Sequence, residues 1–304
     1  MSVAIVSSGL PVTQGAADLR DPDDCTMTVV QGGAGRSHVM SLDRPKWLLG
    51  GRCLAPDGIA TQAAMDWIPG LTGLLADACR SQVLSNRPWF WLPPVALAGA
   101  DPDEARLVSR RIARLAGVPY LVMDASRLQD DALSRSAARG TDLVMPPDPV
   151  IAIAASGCAN PLVLVVGAEK ASDRLAAGLG DLLDSQSSAR WVCPSLEAVL
   201  DLGAITWMVA TPNEHALPTG IYTRVRQLPI SQPQDRAGRM MRVLTATLEV
   251  MADHDLQPVE AAEALTTMFD DPGGRWDAVS RFSAGALKEE ITRQLLRAAN
   301  AYVS

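Results

Sequence analysis

The stretch Val150-Ile151-Ala152-Ile153-Ala154-Ala155-Ser156-Gly157-Cys158-Ala159-Asn160-Pro161-Leu162-Val163-Leu164-Val165-Val166 decides the fold. Its opening, 150–156, reads as a buried helix. Residues 157–161 read as a turn. Leu162–Val166 is an unbroken aliphatic run, rich in valine, and suits a strand covered on both faces. Pro149 to Ala168 carries no charge over 20 residues. Ser156, Gly157, Asn160 and Pro161 interrupt it, so it does not read as the ~20 predominantly apolar residues of a membrane-spanning helix.

The same alternation extends outward. Strand-like runs at Trp89–Leu92 with Val95–Leu97, Tyr120–Met123, Leu162–Val166 and Ile205–Val209 alternate with helical patterns at Asp103–Ala116, Val150–Ser156 and Ala176–Leu183. Strands alternating with helices imply a parallel sheet with helices on both faces. Residues 60–85 look helical, with a break at Pro69-Gly70. From about 235 the strands stop, and Arg236–Ala252, Pro258–Phe269, Trp276–Arg281 and Ala286–Val303 read as helices. Residues 1–59 are rich in Gly, Pro, Asp and Ser. The expected organisation is an irregular N-terminal region (1–59), an α/β subdomain (60–232) and a helical subdomain (233–304).

Composition narrows the classes. The 304 residues are 48% hydrophobic and 20% charged, which excludes a disordered chain. Lys plus Arg is 27 against 34 for Asp plus Glu, a net charge of −7. That argues against a broad electrostatic grip on nucleic acid. The five cysteines are widely spaced with no C-x-x-C pair, so neither a disulfide framework nor a zinc site is expected. The N-terminus has no basic region and no apolar run, so a cytoplasmic protein without a signal peptide is expected.

Several segments together resemble a known family. Met145-Pro146, Val150-Ile151-Ala152-Ile153, Gly157 and Asn160-Pro161-Leu162-Val163-Leu164 are similar to the segment that leads into the Walker B strand of Lon-type AAA+ ATPase modules. Glu169-Lys170 stands where that family has Asp-Lys. Ala176–Asp184, Val209-Ala210-Thr211-Pro212-Asn213 and Ala286-Leu287-Lys288-Glu289-Glu290-Ile291 resemble three further segments in the same order. The resemblance spans about 86–300. It implies a P-loop NTPase-like parallel sheet with flanking helices, followed by a small all-α C-terminal lid.

The positions that would carry ATP chemistry depart from the pattern. A phosphate loop needs backbone N–H groups, a Lys and a Ser/Thr in the spacing G-x-x-x-x-G-K-[ST]. The matching stretch is Gly99-Ala100-Asp101-Pro102-Asp103-Glu104-Ala105-Arg106. Here Glu104 replaces the second glycine, Ala105 the lysine and Arg106 the hydroxyl residue. Asp101 and Asp103 would repel a polyphosphate, and they are expected to cap the following helix instead. Arg106 is the one candidate to replace the lysine. Val166 and Gly167 occupy the Walker B carboxylate positions, with Glu169 two residues on. Gly285 stands at the lid's sensor arginine, with Arg281 nearby. Two residues match: Asn213, as the sensor that orients water, and Arg224, as an arginine finger reaching into a neighbouring subunit. Asn213 reads equally as a turn former and Arg224 as a surface ion pair. No aromatic precedes Met145, so no substrate-gripping pore residue is expected. With the chain ending just after the lid-like helices, no protease domain is expected either.

Other motifs carry less. Gly32-Gly33-Ala34-Gly35-Arg36-Ser37 reads as a turn. His38, His215 and His254 show no ligand or base spacing. Trp89 and Trp91, at alternate positions, read as core. Arg106, Arg110, Arg111 and Arg114 lie on one helix and read as a solvated face rather than a phosphate or partner site.

The resemblance and its departures point to a catalytically degenerate Lon-like AAA+ protein acting as a scaffold, adaptor or regulatory subunit. Its partner would be itself or an active AAA+ protein that receives Arg224. No membrane is implied, and no cofactor is expected beyond weakly held ATP and magnesium. Two alternatives stand beside this reading. One is a divergent ATPase working through Arg106 and Glu169. The other is a clamp-loader-like nucleic-acid accessory subunit, against which the acidic charge counts.

Overall fold

In the computed structural model, the structure describes residues 25–33, 41–55, 58–63, 65, 67–130, 133, 146–254 and 278–303. The strands are β1 (Cys25–Met27), β2 (Val30–Gly32), β3 (Lys46–Leu48), β4 (Val95–Ala98), β5 (Tyr120–Asp124), β6 (Leu162–Val166), β7 (Trp191–Cys193), β8 (Ala198–Leu200), β9 (Thr206–Thr211) and β10 (Arg226–Pro229). The helices are α1 (Ile59–Gln62), α2 (Leu71–Leu84), α3 (Pro102–Ala116), α4 (Asp148–Ser156), α5 (Asp173–Leu183), α6 (Ser185–Ser188), α7 (Thr219–Tyr222), α8 (Arg236–His254) and α9 (Ala284–Val303).

Five strands form the central sheet in the order β10-β4-β9-β6-β5, and every pairing in it is parallel. The sheet separates two apolar cores, and the period of two along each strand sorts its side chains between them. Leu162, Leu164 and Val166 join Val95, Leu97, Met208 and Ala210 under α2 and α3. Val163 and Val165 join Ala96 and Val209 under α4 and α5. The expected parallel α/β sheet with helices on both faces, followed by helices, is therefore the architecture observed. A third, smaller core holds Val243, Ala246, Val250, Leu287, Ile291 and Leu295 of α8 and α9, with Leu107 of α3 against it.

The strand readings need correction in two respects. Trp89–Leu92 is not a strand. Pro93 and Pro94 lack the N–H groups a ladder needs, and the Leu92 N–H donates to Thr206 Oγ1 at 3.2 Å instead. Phe90 and Leu92 are the fully buried residues there, while Trp89 and Trp91 are half-buried. β7, β8 and β10 are short strands that the periodicity did not reveal. Within 1–59, Val29, Leu42, Leu48 and Leu49 lie in the cores, and β1 pairs with β3 while β2 pairs with β8. The helix expected at Pro258–Phe269, part of the one at Trp276–Arg281, His38, Met145 and the pore position before it all lie outside the described residues.

Asn160 ties the N-terminal segment to the sheet. Its side chain is fully buried. Oδ1 accepts from the Leu49 N–H at 2.8 Å, and Nδ2 donates to the carbonyls of Leu49 and Phe90, both at 2.9 Å. Three backbone groups from segments far apart in sequence are satisfied by one amide. Asn160→Ala would leave the Leu49 N–H and the Phe90 carbonyl buried without partners, at about 1–3 kcal/mol each, while the Leu49 carbonyl keeps the Phe90 N–H at 2.9 Å. Urea denaturation of Asn160→Ala is therefore expected to show a loss of about 2 kcal/mol or more; a loss under about 1 kcal/mol would mean that water replaces the amide.

Candidate functional site

An open parallel sheet binds ligands outside the carboxyl ends of its strands, where chain connections change direction. Here that point lies between β4 and β9: the chain leaves β4 toward β5 at one edge and leaves β9 toward β10 at the other. Gly99 turns the chain out of β4 with φ +87°. Its N–H donates to the Thr211 carbonyl at 2.9 Å, and a Cβ there would lie 2.7 Å from the Ile230 carbonyl oxygen. Only glycine meets both conditions.

The helix that starts here, α3, has its N-terminal charge satisfied from within. Asp101 is the N-cap and accepts from the Asp103 and Glu104 N–H groups at 2.9 and 2.8 Å. Asp103 does not share the cap; it pairs with Arg106 at 2.7 Å on the surface. Ala105 faces the core and is fully buried. Glu104, also buried, is held by Arg242 of α8: Nε donates to Oε1 at 3.0 Å and Nη2 to Oε2 at 2.6 Å. Arg242 is itself 0% exposed, and its Nη1 donates to the Phe282 carbonyl at 3.0 Å. Carboxylates in a first helical turn are favoured by the helix dipole, so this pair sits where the field stabilises its negative member.

The ion pairing continues along α3. Expected as a solvated face, Arg110, Arg111 and Arg114 instead meet the acids of α8. Arg114 pairs with Glu249 at 2.8 Å, Arg110 with Glu249 at 3.5 Å and with Asp253, and Arg111 with Glu249 at 3.9 Å. Lys288 of α9 reaches Asp253 at 2.9 Å. The sequence reading failed here because each helix was read alone. The legible signal was complementary: Arg242, Glu249 and Asp253 repeat at seven and four residues on α8, which puts them on one helical face. Burial raises the Glu249 carboxyl above its ordinary value, outweighing Arg114, Arg110, Arg111 and Lys288, which pull it down.

A cavity of about 140 Å³ lies between α3 and these helices, lined by Asp103, Arg106, Arg110, Tyr120, Glu249 and Lys288. Ligand pockets run to roughly 300–1,000 Å³, and the three cations lining this one all have carboxylate partners. Gly285, at the sensor-arginine position, packs directly on Asp103: a Cβ there would lie 2.5 Å from Oδ2.

The other sequence candidates lie on other elements. Gly167 ends β6 with φ +72°, and a Cβ would lie 3.1 to 3.2 Å from Ser126 and Asp124. Val166 is buried beside it. Glu169 lies in a half-buried turn, and no ion pair to it is found among the described residues. Asn213 is exposed, and its Oδ1 accepts from the His215 N–H at 2.9 Å. Arg224 is half-exposed and pairs with Asp184, the residue that caps α6. Arg281 lies at the turn before α9. No group of three or more His, Cys, Asp or Glu side chains suited to a metal ion occurs among the described residues. Nor, among them, is any helix long and apolar enough to cross a membrane.

No family model matches the chain, and no curated protein matches it. Among solved structures it resembles the Thermotoga maritima RuvB Holliday junction branch migration motor at 12% identity, with a TM-score of 0.40 over 82% of this chain and 72% of that one. Two mutants of that protein are similar: a lysine-to-arginine mutant at 12% identity and TM-score 0.42 over 82% and 73%, and a proline-to-glycine mutant at 13% and 0.38 over 76% and 69%.

Two measurements test the ionic seam. Removing one partner of a buried pair leaves an uncompensated charge and costs about 3–5 kcal/mol. Glu104→Gln and Arg242→Met are each expected to lose that much, while the double variant loses far less than the sum; additive losses would mean the two do not interact. The second is a pH series. A carboxyl whose pKa rises on folding takes up a proton as the chain folds, so its contribution to stability declines as pH increases from 4.5 through the folded value. The stability of the wild type relative to Glu249→Gln should fall over that window, and a difference independent of pH would contradict the burial.

Proposed function

We propose that this chain is a catalytically degenerate, Lon-like AAA+ protein that serves as a scaffold, adaptor or regulatory subunit of a protein assembly. One observation carries the reading: the Glu104–Arg242 pair occupies the first turn of α3, where the family's pattern puts the second glycine of the phosphate loop. A polyphosphate there would face Asp101, Asp103 and Glu104, and the exposed cations beside Asp103, Arg106 and Lys288, are already paired. The residues at the Walker B positions support the same reading, because Val166 cannot ligate magnesium and a side chain at Gly167 would be strained at φ +72° and crowd Ser126 and Asp124.

On this reading the helical segment is a fixed part of the body rather than a lid moved by nucleotide. The partner is a second copy of the chain or an active AAA+ protein. Arg224 would have to leave Asp184 to act in a neighbour's site, which favours a structural role for it here. ATP and magnesium are not expected to bind appreciably, and the net charge of −7 disfavours nucleic acid.

The test is a thermal melt with and without millimolar Mg-ATP. A ligand at about 100 times its dissociation constant stabilises the folded state by ~2.7 kcal/mol, and ~1 kcal/mol shifts the midpoint of a chain this size by a few degrees. No shift is expected, and no phosphate release in a parallel assay. A shift of several degrees that disappears in Arg106→Ala would overturn the proposal in favour of the divergent ATPase.

A further inference from the structure

The cavity between α3 and the C-terminal helices has two kinds of wall. Leu107 of α3, Ala246 of α8 and Ala284 of α9 make it apolar, and Arg106, Arg110 and Lys288 make it positive. Exposure tells its depth from its mouth. The Arg110 and Glu249 side chains are 8 and 2% exposed, whereas those of Arg106 and Lys288 are 43 and 46% exposed. The cavity therefore opens to solvent beside Arg106 and Lys288 and ends at Arg110.

The cations around it are incompletely matched. Glu249 is shared by Arg110, Arg111 and Arg114, and Asp253 by Arg110, Arg114 and Lys288. Among the described residues, four cations thus meet at two carboxylates. Arg110 is the least well satisfied. Its Nε is buried and donates no hydrogen bond among the described residues, because Glu249 stands 3.5 Å away in ion-pair geometry alone. A buried donor without an acceptor carries its desolvation penalty uncompensated.

We propose that this cavity binds a short-chain monocarboxylate, its carboxylate between Arg110 and Lys288 and its alkyl tail against Leu107, Ala246 and Ala284. Size follows from volume. A cavity of roughly 150 Å³ holds a benzene-sized molecule of about six non-hydrogen atoms, the size of butyrate, and this one measures about 140 Å³. Charge follows from the donors: arginine and lysine offer no acceptor, so they take a group that only accepts. The tail follows from the three apolar side chains, which offer nothing to the further oxygens of a phosphate. Asp103 and Glu249 also line the cavity and hold the ligand to a single negative charge. ATP is far larger than this space, so the inference stands apart from the reading of the phosphate loop.

The test is a ligand series on the full-length chain. It is melted in about 50 mM butyrate and in sodium chloride of equal ionic strength, so that screening is the same. A ligand this small binds in the millimolar range, and the midpoint is expected to rise by a few degrees. Butyramide, the neutral isostere, and inorganic phosphate should give no such rise, and hexanoate, too long for the cavity, a smaller one. In ligand-observed NMR, saturation should pass from the protein to the butyrate methyl. Lys288→Met removes the charge at the mouth and Ala246→Leu fills the space for the tail; each should abolish the rise. The ligand series and the NMR need no variant, so they decide alone if Ala246→Leu folds poorly. No rise or no saturation transfer with butyrate, an equal rise with butyramide, phosphate or hexanoate, or a rise that survives in either well-folded variant would each overturn the proposal.

Discussion

A buried carboxylate and a buried guanidinium tolerate very few arrangements, and the Glu104–Arg242 pair sets the arrangement of the C-terminal helices. Each charge alone would carry a desolvation penalty of several kcal/mol. Together, at the positive end of α3, they meet that penalty with three N–H···O contacts and the helix field. The apolar core beneath α8 and α9 is small and built of interchangeable aliphatic side chains, which pack in more than one register at similar energy. The ion pair has one register. Once Arg242 is placed, Glu249 and Asp253 fall about two and about three turns further along the same face, opposite Arg110, Arg111 and Arg114.

The same constraint decides what the crevice at the head of the sheet can accept. A helix N-terminus attracts anions through its free N–H groups and its dipole. Here Asp101 takes the N–H groups of Asp103 and Glu104, while Glu104 adds a fixed negative charge that Arg242 already neutralises. An incoming phosphate gains no unpaired donor from this turn and meets three carboxylates. Displacing Glu104 would strand Arg242 in an apolar interior. Holding the helical segment and holding a phosphate thus compete for the same turn of helix.

The central strands were legible because they are buried on both faces and read as continuous aliphatic runs, as at Leu162–Val166. Trp89–Leu92 misled because its apolar residues precede Pro93-Pro94, so its burial comes without ladder hydrogen bonds. β7, β8 and β10 were missed because three or four residues hold too little periodicity. The helix cap at Asp101 follows local chemistry and could be anticipated. The seam could not be seen one helix at a time: Glu104 and Arg242 are separated by 138 residues, and a charged stripe on one helix looks solvated until its complement is placed.

The residues that do match the family's segments make contacts of a consistent kind. Asn160 satisfies three backbone groups, Gly99 permits the turn out of β4, Asn213 closes its own turn, and Arg224 pairs with a helix cap. Each is accounted for by folding, with no ligand required. The residues that depart from the pattern are Glu104, Ala105, Val166, Gly167 and Gly285, the positions whose side chains would touch phosphate, magnesium or water. Each departure is also built into packing, as an ion pair, a buried methyl, a strand end or a close backbone approach. Reverting Glu104, Ala105, Val166 or Gly167 would therefore disturb the fold before it restored any chemistry, whereas at Gly285 only the exposed end of Asp103 would have to move. Catalysis by the route of the Lon-type modules that the sequence resembles needs charge placement at several points at once, so single reversions have little to gain.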